Sequence, residues 1–495
     1  MRFILLFALI CSIVVPVSAQ QPRYDFNGRC QQAYHAIMQL RLQTGIGLLE
    51  AEKRENPDNL LPYFIENYAD FFTLFFNEDA NAYARQRKQR AVRLDRLAEG
   101  PEDSPFYLYT QAVVKFQWAL IKVKFGEKWD AVWEVRKSYI TLKDNERKYP
   151  GFLPNKMILG PMQTVFGTIP EGYKWITNIL GLRGSIKQGM GNLSQVIDSH
   201  DPVADIFREE SYYYYCYLKL FIENKPEQLW DFVEKKQLDT KNNYLFALMV
   251  ANLSLNNQKA DQGIRVLEER RPSPEYAHLW YSEYAMGLMK FERGDADAIA
   301  HLEKFVNGFK GKFYMKEALQ RLSWAYYLKG DISKAQYYRN LVPQRGNMET
   351  DADKQAQKEA KSGKWPNAVL LKARLLSDGG FYTEARDLLL SKKTTDFSLV
   401  EQKLEYAYRL ARIYDEMGND SAALRLYDAT IKIGTNRPEY FAARAALQAG
   451  YIYEKAGDKQ RARTYFQTCL DMEGHDYKNS LDQRAKSGML RLDGK

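Results

Sequence analysis

Four cysteines in 495 residues are too few and too scattered to staple a chain of this size. Cys11 lies inside the leading apolar run, and Cys30, Cys216 and Cys469 are odd in number and far apart. A disulfide framework is excluded as the source of stability, and three buried thiols are expected. Histidine is equally sparse. His35, His200, His278, His301 and His475 are all there are, and none has a second His or Cys at ligand spacing. With no H-E-x-x-H either, neither a metal nor a cofactor is expected. Ser199, His200 and Asp201 stand side by side. A catalytic triad is assembled from residues that face one another across a fold, so adjacency points to a loop or a helix cap. There is no G-x-S-x-G, no G-x-x-x-x-G-K-[ST] and no dinucleotide fingerprint. No catalytic residue is assigned, and the chain reads as non-enzymatic. Helix breakers are also few: 30 glycines and 17 prolines, together below the roughly 12% of average usage. No window shows convincing strand alternation. These absences favour helix throughout.

Long hydrophobic runs are missing except at the start. "MRFILLFALICSIVVPVSA" has one basic residue, an apolar run and small residues at its end, with Val17 and Ala19 at the −3 and −1 positions of a cleavage site. It is short for a membrane span, which needs about 20 apolar residues. Ile10 before Cys11 is not the small residue that lipid attachment would need. The expectation is export, with residues 1–19 removed and Gln20 leading the mature chain. Lone thiols suit the periplasm or outer-membrane periphery of a bacterium better than a small secreted scaffold. The whole chain is 45% hydrophobic and 27% charged with a net charge of +9, the composition of a folded, soluble protein. In "RQRKQRAVRLDR" (85–96), Arg85, Lys88, Arg93 and Arg96 share one arc of a helix, and Ala84, Ala91, Leu94 and Leu97 the other. A solvated basic face is the expectation, and no nucleic-acid partner is expected of an exported protein.

What the chain does have is a repeat. Gly450, Tyr453, Gly457, Ala462 and Phe466 stand at offsets of 3, 7, 12 and 16. Ala411, Tyr414, Gly418, Ala423 and Tyr427 repeat those offsets, and so do Ala373, Leu376, Gly380, Ala385 and Leu389. Ser323, Tyr326, Gly330 and Ala335 fit, but Arg339 breaks the last position, and a fainter copy starts at Gly287 with Gly294. The small first positions are 36, 50, 38 and 39 residues apart. Two antiparallel helices approach closely only where small residues meet, at about 8–10 Å. The glycine between them can end the first helix in the left-handed conformation.

These residues resemble the tetratricopeptide repeat family, whose small, aromatic, glycine, alanine and aromatic positions they match over about a third of the chain. Its closing proline is mostly missing, with Pro343 and Pro438 the nearest candidates. The resemblance implies an all-α fold, an α-solenoid of antiparallel helical hairpins whose concave face holds a protein or peptide partner. First-helix residues Tyr408, Arg412, Arg444 and Gln448 flank the crossing positions and are the candidate partner-binding residues. The organisation expected is a signal peptide (1–19), an N-terminal helical-hairpin region (20–150), a glycine-rich helical insert (151–200), central repeats (201–345), a charged linker or surface helix (346–365) and C-terminal repeats (366–495). In the N-terminal region Ala119, Gly126 and Ala131 show the same small–turn–small spacing.

"FGTIPEGYKWITNILGLRGSIKQG" (166–189) reads as two short amphipathic helices joined at "GLRGS". Pro170 begins the first, Tyr173, Ile176, Ile179 and Leu180 line one side, and Gly181 ends it. Ser185 caps a second that carries Ile186, Met190, Leu193 and Ile197. A structural insert is the leading reading. Membrane-surface contact through Lys174 and Trp175 is the alternative. Ile169-Pro170, Gly181-Leu182-Arg183-Gly184 and Gly189-Met190 resemble a segment of eukaryotic tetratricopeptide proteins related to the yeast inclusion-body-clearance protein, with a leucine where an aromatic would stand, and the likeness implies no activity. "SYYYYCYLKLF" (211–221) reads as a helix buried on several sides, or else as a tyrosine-lined groove for peptides or sugar rings. The functional expectation is an exported scaffold. The alternatives are a glycan-binding outer-membrane accessory protein with an aromatic platform, and a helical enzyme built on a His–carboxylate cluster.

Overall fold

A computed structural model describes residues 21–169 and 179–493. The leader lies outside these residues, as do Pro170, Tyr173, Lys174, Trp175 and Ile176. Among the described residues the regular structure is helical, with a single isolated parallel bridge between Arg23 and Asn59. Two compact units divide the chain: Met1–Phe72 with Asn81–Leu218, and Thr73–Ala80 with Lys219–Lys495. The all-α expectation is borne out.

In the first unit the helices are α1 (Gly28–Met38), α2 (Leu42–Glu55), α3 (Leu61–Asn77), α4 (Ala80–Leu97), α5 (Pro105–Lys124), α6 (Lys128–Lys148), α7 (Pro154–Phe166), α8 (Ile186–Ile197), α9 (Pro202–Ile206) and α10 (Arg208–Phe221), with the last turns of α3 and α10 assigned to the second. They pair as hairpins α1/α2, α5/α6 and α7/α8. Ala119 and Ala131 are buried in the α5/α6 pair, and Gly126 turns between them with φ +83°. Ser185 caps α8, its hydroxyl accepting from the Gln188 N–H at 3.2 Å, and Met190, Leu193 and Ile197 are buried. The expected second helix of the 166–189 stretch is therefore present. Its backbone crosses α7 at two glycines. A Cβ on Gly189 would lie 2.3 Å from the Gly160 carbonyl oxygen and 2.1 Å from Thr164 Oγ1. Asp201 caps α9, accepting from the Ala204 N–H at 2.8 Å, so the Ser-His-Asp run ends in a helix cap.

The basic run forms the expected solvated arc only in part, with Arg85 and Lys88 exposed. Ala84 and Ala91 are exposed, whereas Arg93 is buried against Asp70 and lies 3.8 Å from Glu66. Arg90 pairs with Glu134 at 2.6 Å. Carboxylates on α3 and α6 draw the arginines inward, and two alanines are too small to hold the helix down against that pull.

At the centre of this unit a carboxyl is caged by tyrosines. Tyr34 Oη donates to Glu210 Oε2 at 2.6 Å, Tyr68 Oη to the same oxygen at 3.0 Å, and Tyr214 Oη to Oε1 at 3.0 Å. Tyr34 and Tyr68 meet edge to face at 5.3 Å. Burial pushes the Glu210 carboxyl from 4.5 up to about 7, against the three phenols that favour its ionised form. The tyrosine-rich run on α10 is half-buried or buried. Cys30, Cys216 and Cys469 are free and fully buried, and burial pushes Cys30 and Cys469 up to about 12. They are the inert thiols expected.

The second unit contains α11 (Pro226–Lys235), α12 (Tyr244–Leu255), α13 (Ala260–Glu269), α14 (Trp280–Arg293), α15 (Ala298–Gly308), α16 (Met315–Leu328), α17 (Ile332–Leu341), α18 (Asp351–Lys361), α19 (Ala368–Asp378), α20 (Tyr382–Leu390), α21 (Val400–Glu416), α22 (Asp420–Gly434), α23 (Phe441–Lys455), α24 (Lys459–Asp471) and α25 (Lys478–Leu492). It is an α-solenoid of the stacked hairpins α12/α13, α14/α15, α16/α17, α19/α20, α21/α22 and α23/α24, closed by α25. The repeat predicts the crossings from α16/α17 onward. Ala373 with Ala385 and Ala411 with Ala423 are fully buried between paired helices. A Cβ on Gly450 would lie 2.5 Å from the Phe466 ring, and Ser323 Oγ donates to the Ala335 carbonyl at 2.8 Å. Gly330, Gly418 and Gly457 all have φ between +74° and +82°. Behind the last two, the N–H of Asn419 reaches back to the Tyr414 carbonyl and that of Asp458 to the Tyr453 carbonyl, at 2.8 and 2.9 Å. This is the six-residue closure of a left-handed helix stop. The same Asn419 and Asp458 then cap the next helix.

Two measurements test this unit-by-unit account. Gly189→Ala is expected to lower the unfolding free energy of the first unit by roughly 1–3 kcal/mol, because its methyl meets backbone. Gly191→Ala, two residues on with nothing within 4 Å of its Cβ, is expected to raise it by up to about 1 kcal/mol through helix propensity. Equal effects in thermal melts of the two variants refute the close α7/α8 crossing. Glu210 sets a pH dependence. Its folded pKa is raised, so the folded state holds the proton more tightly than the unfolded chain. Stability falls as pH rises from 4.5 to about 7 and is flat above, by an amount on the order of 3 kcal/mol. Denaturant titrations between pH 4 and 8 should show that slope, and Glu210→Gln should abolish it.

Candidate binding groove

The break in the repeat at Arg339 leads to the site. α18 and the segment after it are inserted between the α16/α17 and α19/α20 hairpins, which accounts for the 50-residue interval. The side of α17 that carries an aromatic or leucine in other repeats faces this insert. Arg339 is buried there, donating to the carbonyls of Glu359, Ala360 and Lys364, with its guanidinium 4.5 Å from the Trp365 ring. Trp365 in turn stacks on Tyr327 at 4.8 Å and 7°.

Within residues 346–365, Asp351–Lys361 are therefore helical and packed into the unit, where a charged linker was one expectation. The reason lies in α16, whose first turn is preceded by Tyr314 at φ +64° with no side-chain cap of its own. Asp353 of α18, fully buried, supplies the acceptor. Its carboxylate takes the N–H groups of Tyr314, Lys316 and Glu317 at 2.8, 3.0 and 3.1 Å, and the Thr350 hydroxyl at 2.7 Å. A helix N-terminus has exactly such orphan donors and a positive dipole end, satisfied here by a neighbouring helix.

Beyond α18 the first helices of the following hairpins line two adjoining cavities, of about 520 Å³ and about 230 Å³. Both are lined by Arg374 of α19, Arg409 of α21, and Tyr440 and Arg444 at the start of α23. These three arginines recur every 35 residues. Arg374 lies 3.5 Å from Glu359 and from Asp378, and 5.3 Å from the Trp324 ring, which Arg321 approaches at 5.1 Å. Burial works against the Arg374 charge, but Glu359, Asp378 and Tyr440 outweigh it and raise its pKa. Arg409 pairs with Glu405 of its own helix and lies close enough to Arg374 to be repelled by it. Burial pushes the Tyr440 phenol up to about 12, and its ring meets Tyr477 edge-on at 5.2 Å. The wider cavity closes where Lys358 of α18 pairs with Asp476 at 2.8 Å and Tyr477 Oη donates to Gln355.

Of the four residues the sequence singled out, Tyr408, Arg412 and Arg444 line the narrower cavity. Tyr408 is buried against Tyr440 and Phe441, not offered openly to a partner. Arg412 pairs with Asp415 at 3.0 Å and with Glu416. Arg444 is half-buried, and its side chain has no hydrogen bond or ion pair among the described residues, its buried Nε included. Gln448, one turn further along α23, lines neither cavity. Arg374, Arg409 and Tyr440 were missed. Their 35-residue interval was the available signal, but it runs out of step with the crossing residues.

Elsewhere the titratable groups do structural work. His301 Nδ1 lies 2.6 Å from Glu283 across the α14/α15 hairpin, both half-buried, and holds that carboxyl below its usual range. No group of His, Cys, Asp and Glu among the described residues is arranged to hold a metal ion.

No family model matches the chain, and no curated protein matches it. Among solved structures it is similar to the crystal structure of the P58(IPK) TPR domain, at 14% identity over 83% of this chain and 96% of that one, with a TM-score of 0.22. At that score the likeness adds nothing to the helix pairing described above.

Asp353→Ala tests whether α18 is integral. It is expected to destabilise the second unit by about 2 kcal/mol, since three backbone donors lose their acceptor. Loss of the exposed pair through Lys358→Met should cost under about 1 kcal/mol. Equal melting shifts would place α18 outside the cooperative core.

Proposed function

We propose that this protein is a non-catalytic scaffold that holds a peptide segment of a partner protein in the α16–α25 groove, and that it works outside the cytoplasm after removal of residues 1–19. One observation carries the binding reading. Successive first helices place side chains on one continuous lining, and Arg444, an arginine kept half out of solvent there, has no internal partner. A partly desolvated guanidinium without a counter-ion is a standing invitation to a ligand, since such groups are ordinarily paired. Stacked hairpins supply an extended lining of this kind without any one of them forming a closed pocket. The leader composition supports export to the periplasm or the outer-membrane periphery of a bacterium. Among the described residues no helix is long and apolar enough to cross a membrane.

Site-specific photocrosslinking in the native host tests the proposal. A photoreactive residue at Tyr477 or Glu401, both on the groove lining, is expected to give a discrete protein adduct that fractionates with the cell envelope. The same residue at Leu390, exposed on α20, should give none. Adducts from Leu390 alone, or an adduct confined to the cytoplasm, would overturn the corresponding half of the proposal.

A further inference from the structure

We infer that this protein has a second site, apart from the groove: an apolar cavity between α14, α16 and α19 that takes a single-chain amphiphile with an anionic head, a fatty acid. The interrupted stacking creates it. α18 packs against α16, while α19 packs against α14. A gap of about 440 Å³ is left where the ends of α14 and α16 face α19, within the range of about 300–1,000 Å³ common for small-molecule sites. Phe291, Ile299, Leu328, Val369, Leu375 and Leu388 line it. Apolar side chains around a void forgo contacts that a chain of methylenes would restore.

The charges on the lining decide the head. Its exposed members include Ala296, Lys329 and Lys372, which mark the mouth. Neither lysine ammonium has a hydrogen bond or ion pair among the described residues. Asp295, on the same lining, is already held by Arg293, whose Nε donates to both carboxylate oxygens at 3.0 and 2.9 Å. The other acid is Glu292, a buried side chain whose Oε2 has no hydrogen-bond partner. Burial pushes its carboxyl well above the usual range; Arg321 opposes that shift, and Asp378 and Glu317 add to it. A carboxyl held toward its neutral form puts little negative charge on the wall to repel an anion. Two unpaired cations therefore stand at the mouth of an apolar interior. A carboxylate at the mouth meets both, and its tail lies among the leucines. A cationic head would meet like charge at the same place.

Titration calorimetry on the full chain, with every probe below its micelle concentration, tests the inference. Hexanoate, octanoate and decanoate are expected to bind with affinity rising roughly 4-fold per added methylene. Decanol should bind roughly 10-fold more weakly than decanoate, the worth of one charge-assisted pair, and decylammonium more weakly still. Lys329→Gln combined with Lys372→Gln should bring decanoate down to decanol, leaving decanol and the melt unchanged, because neither ammonium has an internal partner. Ala296→Trp, at an exposed turn position on the mouth, should block all three ten-carbon probes. Lys432→Gln, on an exposed position of α22, should alter none of them. Absence of decanoate binding, affinity independent of chain length, or decylammonium binding as tightly as decanoate overturns the inference. So does a carboxylate preference that survives the double lysine change. Each of these outcomes leaves the scaffold reading intact, since the groove shares no residue with this lining.

Discussion

The close approach of paired helices governs the second unit. Where Ala373, Ala411 and Gly450 meet Ala385, Ala423 and the ring of Phe466, the two backbones come within reach only because no larger side chain stands between them. Every other property follows from that contact. The glycine turns reverse the chain in the shortest distance, and the Asx caps behind them begin the next helix without leaving polar backbone bare. The larger rings then fill the space beside each crossing, and the stack grows by repetition. Close packing at native density leaves little tolerance, so the first helices hold their lining residues in fixed register.

The same constraint makes the interruption at α18 intelligible. A stacked hairpin array can take an extra helix only where the backbone groups of both are satisfied. Asp353 meets that condition by ending the donors of α16, and Arg339 meets it by serving three carbonyls of the insert. The position at which the repeat pattern fails is thus the position at which the groove acquires a wall.

Much of this was legible beforehand. The turn glycines, the crossing alanines and the Ser185 cap fall where spacing puts them, because each is a local requirement of helix geometry. The 346–365 segment was ambiguous for a physical reason. Its buried face is built from Asp353, Ala356 and Gln357, and a carboxylate buried against backbone donors looks, in sequence, like a solvated charge. Arg93 misled in the same way. In the groove, three of four chosen residues reached the lining, but Arg374 and Arg409 escaped notice because they keep no constant distance from the small positions. The cage around Glu210 joins α1, α3 and α10, and nothing in the spacing of its tyrosines announces a contact 176 residues long.

That inconstant distance has a geometric meaning. Arg374 stands one residue after its small position, Arg409 two before, and Arg444 six before. Each step back is three or four residues, one helical turn, so the guanidinium keeps its face while sliding about 5 Å along the rod. Successive rods are themselves about 10 Å apart. The positive track therefore climbs the array on a diagonal, so its two ends are not interchangeable.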